Sequence, residues 1–263
     1  MAEEKKYAKK DFAETSGFGT LVRDAKFFAP RTADGYGTII MTVPQFRYSR
    51  KDQNTGNYED VSSFIQINLK GRKATEKFAQ HLTKGTGICY AGKPVVTNKK
   101  VGDNWSSDLI ISTTDVDFSG CSGRGIATTV MNGRIVKVPS EFEKNGRKEN
   151  SMAFSIAVND GYFKQDGTES TSFIVCRLGG SRANSDKFRA MFEKGKLVCL
   201  TGVWNTSSEK QADGSYVGKT SFDVSEVIFQ SKKQDGAVTP TNLEQAEDVN
   251  ENTLDISDSD LPF

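Results

Sequence analysis

Phe64-Ile65-Gln66-Ile67-Asn68-Leu69-Lys70 alternates in polarity with a period of two. Successive side chains of a strand point to opposite faces, so Ile65, Ile67 and Leu69 share one face and Phe64, Gln66, Asn68 and Lys70 the other. The first face reads as core. The second sets an apolar ring beside two amides and a cation, turned away from that core. Residues 172–178 repeat the pattern: Ile174, Cys176 and Leu178 make the apolar face, and Phe173, Val175 and Arg177 stand opposite.

The repetition extends outward. Ser63-Phe64-Ile65 recurs as Ser172-Phe173-Ile174, and Lys77-Phe78, Lys84-Gly85, Cys89 and Gly92 recur as Lys187-Phe188, Lys194-Gly195, Cys199 and Gly202. Gly19-Thr20-Leu21-Val22 matches Gly133-Arg134-Ile135-Val136. A spacing that drifts by only a few residues marks a duplicated domain with insertions confined to loops. Ser119 to Gly125, rich in Gly and Ser, suits the linker between the copies. Further strands come from Ile39, Met41 and Val43 alternating with Thr38, Ile40 and Thr42, and from Met152, Phe154, Ile156 and Val158 alternating with Ala153, Ser155 and Ala157. One short helix per copy follows the third strand. Phe78 and Leu82 mark the first; Phe188, Met191 and Phe192 mark the second, with Ser185 as its N-cap. Gly85 and Gly195, each preceded by a lysine, end them.

The order strand, strand, strand, helix, strand, strand is that of a five-stranded OB barrel, whose face and loops bind oligonucleotides or oligosaccharides. A small sandwich has a similar strand count. The expected fold class is mainly β: two tandem five-stranded OB-fold barrels, each with one short helix, then a disordered acidic tail. The expected boundaries are an N-terminal extension 1–16, barrels 17–119 and 128–230, a linker 120–127, a disordered segment 231–253 and an acidic tip 254–263.

Outward aromatics beside cations suit unpaired nucleobases. Every base has a π-face that stacks on a ring, while the cation follows the phosphates. The competing reading packs each Phe under a loop or at a subunit interface; the recurrence in both copies favours stacking. Other aromatics lie in expected hairpins among basic residues: Phe46-Arg47-Tyr48-Ser49-Arg50-Lys51 in the first copy and Tyr162-Phe163-Lys164 in the second. Lys99, Lys100 and Trp105 are expected in the loop between strands four and five, with Trp204, Lys210 and Tyr216 in the matching region. Trp204 closes an apolar run, so core packing competes with stacking there.

The 263 residues leave room for two domains. No apolar run approaches a membrane span, and Met1 to Lys10 is charged and lacks a signal-peptide core, so a cytoplasmic protein is expected. Cys89, Cys121, Cys176 and Cys199 form no C-x-x-C pair, and His81 is the sole histidine, so no metal or other cofactor is expected. Cys89, Cys176 and Cys199 read as small buried core residues. Walker, H-E-x-x-H and nucleophile-elbow motifs are missing, so no enzyme is expected. The glycines of 120–125 suit a linker better than a phosphate cradle.

Residues 234–263 hold eight acids (Asp235, Glu244, Glu247, Asp248, Glu251, Asp255, Asp258 and Asp260) and no Lys or Arg. The rest carries 35 basic against 26 acidic residues, a basic body with an acidic arm.

These features resemble the bacterial single-stranded DNA-binding protein family over residues 17–230 and 254–263. Leu69-Lys70-Gly71-Arg72 and Leu178-Gly179-Gly180 echo the family's Leu-x-x-Gly-Lys feature, and its strand-three stacking tryptophan matches Phe64 and Phe173. Its later stacking phenylalanine falls at Lys70 and Gly179, and a loop tryptophan near Lys99 to Val101, where this chain has no aromatic. The ending Leu254-Asp255-Ile256-Ser257-Asp258-Ser259-Asp260-Leu261-Pro262-Phe263 resembles the family's acidic tip. Capture of a C-terminal carboxylate is a known recognition mode. The resemblance implies sequence-nonspecific binding of single-stranded DNA in replication, recombination and repair. It further implies recruitment of partner proteins through Asp255, Asp258, Asp260, Leu261, Pro262 and Phe263, and a homodimer giving four barrels. The expected DNA contacts are Phe46, Arg47, Tyr48, Phe64, Lys70, Arg72, Lys99, Lys100, Trp105, Tyr162, Phe163, Lys164, Phe173, Arg177, Trp204 and Tyr216. A second reading is an OB-fold scaffold in which only one copy binds nucleic acid.

Overall fold

The computed structural model describes residues 9–52, 55–102, 104–120, 123–144, 147–164, 167–211 and 214–230. Cys121, the acids of 234–263 and the tip Asp255 to Phe263 lie outside the described residues. The first half contains β1 (Ala13–Thr20), β2 (Lys26–Phe28), β3 (Thr38–Lys51), β4 (Tyr58–Lys70), α1 (Glu76–Ala79), β5 (Gly87–Val101), β6 (Asn104–Thr113) and β7 (Val116–Phe118). The second contains β8 (Ile126–Lys144), β9 (Arg147–Phe163), β10 (Glu169–Gly179), a 3-10 turn (Ser181–Asn184), α2 (Asp186–Arg189), β11 (Leu197–Lys210) and β12 (Tyr216–Phe229).

The alternating segments fold as read. Ile39, Met41, Val43, Ile65, Ile67 and Leu69 are buried in the first copy, and Met152, Phe154, Ile156, Val158, Ile174 and Cys176 in the second. Burying each such aliphatic side chain contributes about 1.5–3 kcal/mol. In the second copy, ladders close a ring β8-β9-β10-β12-β11-β8, with only β10–β12 parallel; this is the OB barrel. The first copy repeats the order β3-β4-β6-β5-β1 with β4–β6 parallel. There the gap between β1 and β3 is bridged where the Val22 amide donates to the Thr42 carbonyl at 3.1 Å.

The other edge of β1 pairs antiparallel with β8, from Ala13 opposite Met131 to Phe18 opposite Ile126. By the spacing that matches Gly19 to Gly133, Thr15 corresponds to Thr129, and these two lie opposite each other. Their hydroxyls share a buried hydrogen bond of 2.7 Å. A pairing in which equivalent residues face one another has two-fold symmetry, here within one chain. It joins β7-β5-β1-β8-β11-β12 into one antiparallel sheet. This explains two departures from the sequence reading. β1 starts inside the expected extension 1–16 and β8 inside the expected linker 120–127, because Ala13 and Glu14 gain their pairing from β8, and Ile126 and Ala127 theirs from β1.

Each helix is a single turn. Thr75 Oγ1 accepts from the Phe78 amide at 3.1 Å, and Ser185 Oγ from the Phe188 amide at 3.3 Å. Leu82 and Phe192 are buried, but α2 ends at Arg189, so Met191 lies past it and is exposed rather than part of a helical stripe. The cysteines also depart from expectation. Cys176 is buried, whereas Cys89 is exposed and Cys199 half-buried, because strand alternation turns both outward between buried neighbours such as Val198 and Leu200.

Candidate nucleic-acid interface

Phe64 and Phe173 stand on the outer faces of β4 and β10, 56% and 54% exposed. The opposite copy fixes the backbone at both. Ser63 Oγ accepts from the Thr206 amide at 3.2 Å, and Ser172 Oγ, the equivalent atom, accepts from the Val96 amide at 3.3 Å. Thr206 Oγ1 donates to the Phe64 carbonyl at 2.7 Å, and Asn98 Nδ2 donates to the Phe173 carbonyl at 3.3 Å. Ser172 is itself held: Asp160, buried, accepts from its hydroxyl at 3.0 Å and from Ser170 Oγ at 2.8 Å. Lys93 of the first copy lies 3.9 Å from Asp160, and burial lowers its pKa, with Asp160 opposing the shift.

The β5–β6 and β11–β12 hairpins carry the remaining aromatics. Lys99, Lys100 and Trp105 are strand residues rather than loop residues, because the ladder runs to Val101 opposite Asn104. Trp105 lies opposite Lys100, and Tyr216 opposite Lys210, at equivalent places. The two hairpins meet at a seam. The Gly218 amide donates to Ser106 Oγ at 2.9 Å, Thr220 Oγ1 to the Ser107 carbonyl at 2.7 Å, and Asn104 Nδ2 to Gln211 Oε1 at 3.1 Å. A Cβ on Gly218 would meet the Asp108 carboxylate, the movable end of a side chain, and come 3.1 Å from the Ser107 carbonyl oxygen, so the hairpins approach closely here.

A groove opens on each side of the seam, and each draws on both copies. The first, about 570 Å³, is lined by Phe64, Arg23, Lys99 and Asp108 of the first copy with Thr206 and Tyr216 of the second. The second, about 350 Å³, is lined by Phe173, Arg177 and Lys219 of the second copy with Asn98 and Trp105 of the first. Trp105 and Tyr216 are the more exposed partners, at 69% and 61%. Lys99 pairs with Asp108 at 2.9 Å, and Lys219 pairs with Glu209, whose carboxyl that bond holds below its ordinary range.

Six residues of the sequence reading therefore gather in these grooves: Phe64, Lys99, Trp105, Phe173, Arg177 and Tyr216. Others lie elsewhere. Phe46 is half-buried beneath the Arg124 guanidinium, 4.6 Å from the ring centroid, and Arg124 also grips Asp60. Arg47 is tied to Asp223 of the second copy at 2.7 Å and lies over the exposed Tyr48. Lys70, Arg72, Lys100, Tyr162, Phe163 and Lys164 are exposed outside both grooves. Trp204 requires a correction: it is fully buried, its Nε1 donates to Thr15 Oγ1 at 3.3 Å, and its ring lies 4.9 Å from Phe222. It packs toward the first copy's opening strand and has no face to offer a base.

The sequence reading missed Arg23, Asn98, Asp108, Lys219 and Gly218. Lys219 and Asp108 occupy outward positions of strands, and alternation would have found their face. Arg23 lies just past β1 and reaches the groove through its bond to Thr42 Oγ1 at 2.9 Å, a contact with no local signature.

No family model matches the chain. Single-stranded DNA-binding protein 3 of Streptococcus agalactiae is 28% identical over 140 residues, covering 52% of this chain and 99% of that protein. Two structures of the single-stranded DNA-binding protein from Thermus aquaticus share the fold. A deletion variant superposes with a TM-score of 0.61 over 88% of this chain and 98% of that one, at 14% identity. The wild type gives 0.59 over 87% and 98%, at 13% identity. The fold and grooves define a tandem OB-fold protein with an aromatic and basic seam. In sequence over about half of its length, and in fold over most of it, the chain is similar to single-stranded DNA-binding proteins.

Proposed function

We propose that the chain binds single-stranded DNA without sequence preference, through the two grooves at the seam between its barrels. The observation that carries this reading is the aromatic pair in each groove, Phe64 with Tyr216 and Phe173 with Trp105, beside Arg23, Lys99, Arg177 and Lys219. Rings exposed on a rigid strand stack bases with little ordering cost, and stacking contributes roughly 1–3 kcal/mol per base. The cations track the phosphates, which makes binding salt-sensitive. The experiment is titration of the full chain with poly-dT and with duplex. Tight binding to poly-dT that weakens steeply with salt is expected; affinity for duplex equal to that for poly-dT overturns the reading. A scaffold in which one copy is idle has less support, because both grooves need side chains from both copies.

The biological setting follows the resemblance: protection of single strands during replication, recombination and repair in the cytoplasm. Recruitment of partner proteins would run through Asp255, Asp258, Asp260, Leu261, Pro262 and Phe263. Deleting 261–263 should abolish partner binding and leave DNA affinity intact or higher. The outer face of the six-stranded sheet exposes Cys89, Ile126, Val130 and Ile228, an apolar surface suited to a second copy of the chain and thus to a dimer of four barrels. A mass measurement on the DNA complex tests it, with a single-chain mass as the contrary result.

A further inference from the structure

Equivalent positions of the two hairpins carry an ion pair of opposite sense. Thr97 lies opposite Asp108 in β5–β6, and Ser207 lies opposite Lys219 in β11–β12, so Asp108 and Lys219 are counterparts. Lys99 and Glu209 are counterparts by the same register, opposite Ser106 and Val217. The diagonal pair is thus Lys99–Asp108 in one hairpin and Glu209–Lys219 in the other. The reversal does not cancel across the molecule, because the grooves take different members. Both Lys99 and Asp108 line the first groove, so that pair adds no net charge and leaves Arg23 as the excess. Lys219 lines the second groove while Glu209 stays outside it, and Arg177 lines it too, so two cations face that groove with no carboxylate among its described lining residues. The aromatic partner differs in the same direction: the second groove has an indole, Trp105, where the first has a phenol, Tyr216.

We infer that the two grooves bind single-stranded DNA unequally, the Phe173–Trp105 groove being the high-affinity site that loads first and the Phe64–Tyr216 groove filling second. This rests on the proposed DNA binding. The indole offers the larger stacking surface and attracts cations best among the aromatic side chains. The carboxylate of Asp108 repels phosphate where Lys219 attracts it. Each phosphate neutralised on a single strand adds about 0.7 to the salt slope. The first-loading site should therefore show the steeper salt dependence.

The test uses the full chain and a short oligothymidylate in equilibrium titrations at several salt concentrations. Wild type should bind in two phases. Trp105→Ala with Arg177→Ala should weaken the tight phase at least about ten-fold and leave the weak phase in place. Tyr216→Ala with Arg23→Ala should act on the weak phase alone. Asp108→Asn removes the carboxylate from the first groove and leaves Lys99 beside Arg23 without it, so it should tighten the weak phase several-fold, a gain that misfolding cannot produce. Equal losses from the two double variants, or no gain from Asp108→Asn, overturn the inequality while DNA binding stands. Failure of wild type to bind the oligothymidylate overturns the binding reading itself.

Discussion

The two barrels repeat one another in strand order, in the parallel pairing of their third and fifth strands and in the serine that receives the other copy's fourth strand. They do not repeat in what those strands carry. By the register that matches Gly92 to Gly202, Trp204 stands where the first copy has Pro94, and the Lys99–Asp108 pair is reversed as Glu209–Lys219. Backbone pairing is common to any side chains that suit a strand, so a duplicated frame holds its geometry while its surface chemistry diverges. The joint is thus nearly symmetric and its two grooves are not.

Removing the indole of Trp204 should have the largest effect. Trp204→Ala should destabilise the fold by about 3–5 kcal/mol, since a fully buried ring against Phe222 and Thr15 leaves a cavity the barrels cannot fill. Urea unfolding measures it; a loss below about 1 kcal/mol would mean that the ring is not packed between the copies. Next comes Gly218→Val, whose branched side chain displaces the Asp108 carboxylate and crowds the Ser107 carbonyl oxygen at the seam. It should weaken DNA binding in both grooves, whereas a loss confined to one would separate them. Ser172→Ala should cost more stability than Ser63→Ala, roughly 1–3 kcal/mol against about 1, because Ser172 also donates to the buried Asp160 carboxylate. Equal costs in chemical denaturation would make that network irrelevant.

The smallest effect concerns Tyr90, in the first copy's β5. Burial pushes its phenol well above the ordinary tyrosine range, so folding favours the protonated form. That contribution is complete below the unfolded value near 10 and is lost as pH climbs above it. Absorbance at 295 nm should show one of the seven tyrosines failing to titrate with the others, and titration of all seven together would contradict it.

Much of this was legible in the sequence because alternation is a local property. Phe64 and Phe173 show their outward direction through neighbours two residues away, and the duplicated segments give the strand order. What was not legible depends on partners far along the chain. Trp204, at the end of an apolar run, reads equally as core or as a stacking ring until Thr15, the residue to which its indole donates, comes across from the other barrel. Ala13 and Glu14, and Ile126 and Ala127, look like parts of an extension and a linker because their strand pairing comes from the other copy, the first two from β8 and the last two from β1. Arg47 reads as a DNA contact until Asp223, in the second copy, is seen to hold it. The lengths of the hairpins were underestimated for a related reason: polar residues such as Asn98 and Ser107 stay in register there because the opposite copy supplies hydrogen bonds.

Photocross-linking of an oligothymidylate to the full chain, followed by mass spectrometry of the linked peptides, tests the composite grooves most directly. Links should fall on Phe64 and Tyr216 and on Phe173 and Trp105, with peptides from both barrels and none at Trp204. Links confined to one barrel, or to the outlying rings Tyr48, Tyr162 and Phe163, would contradict binding at the seam.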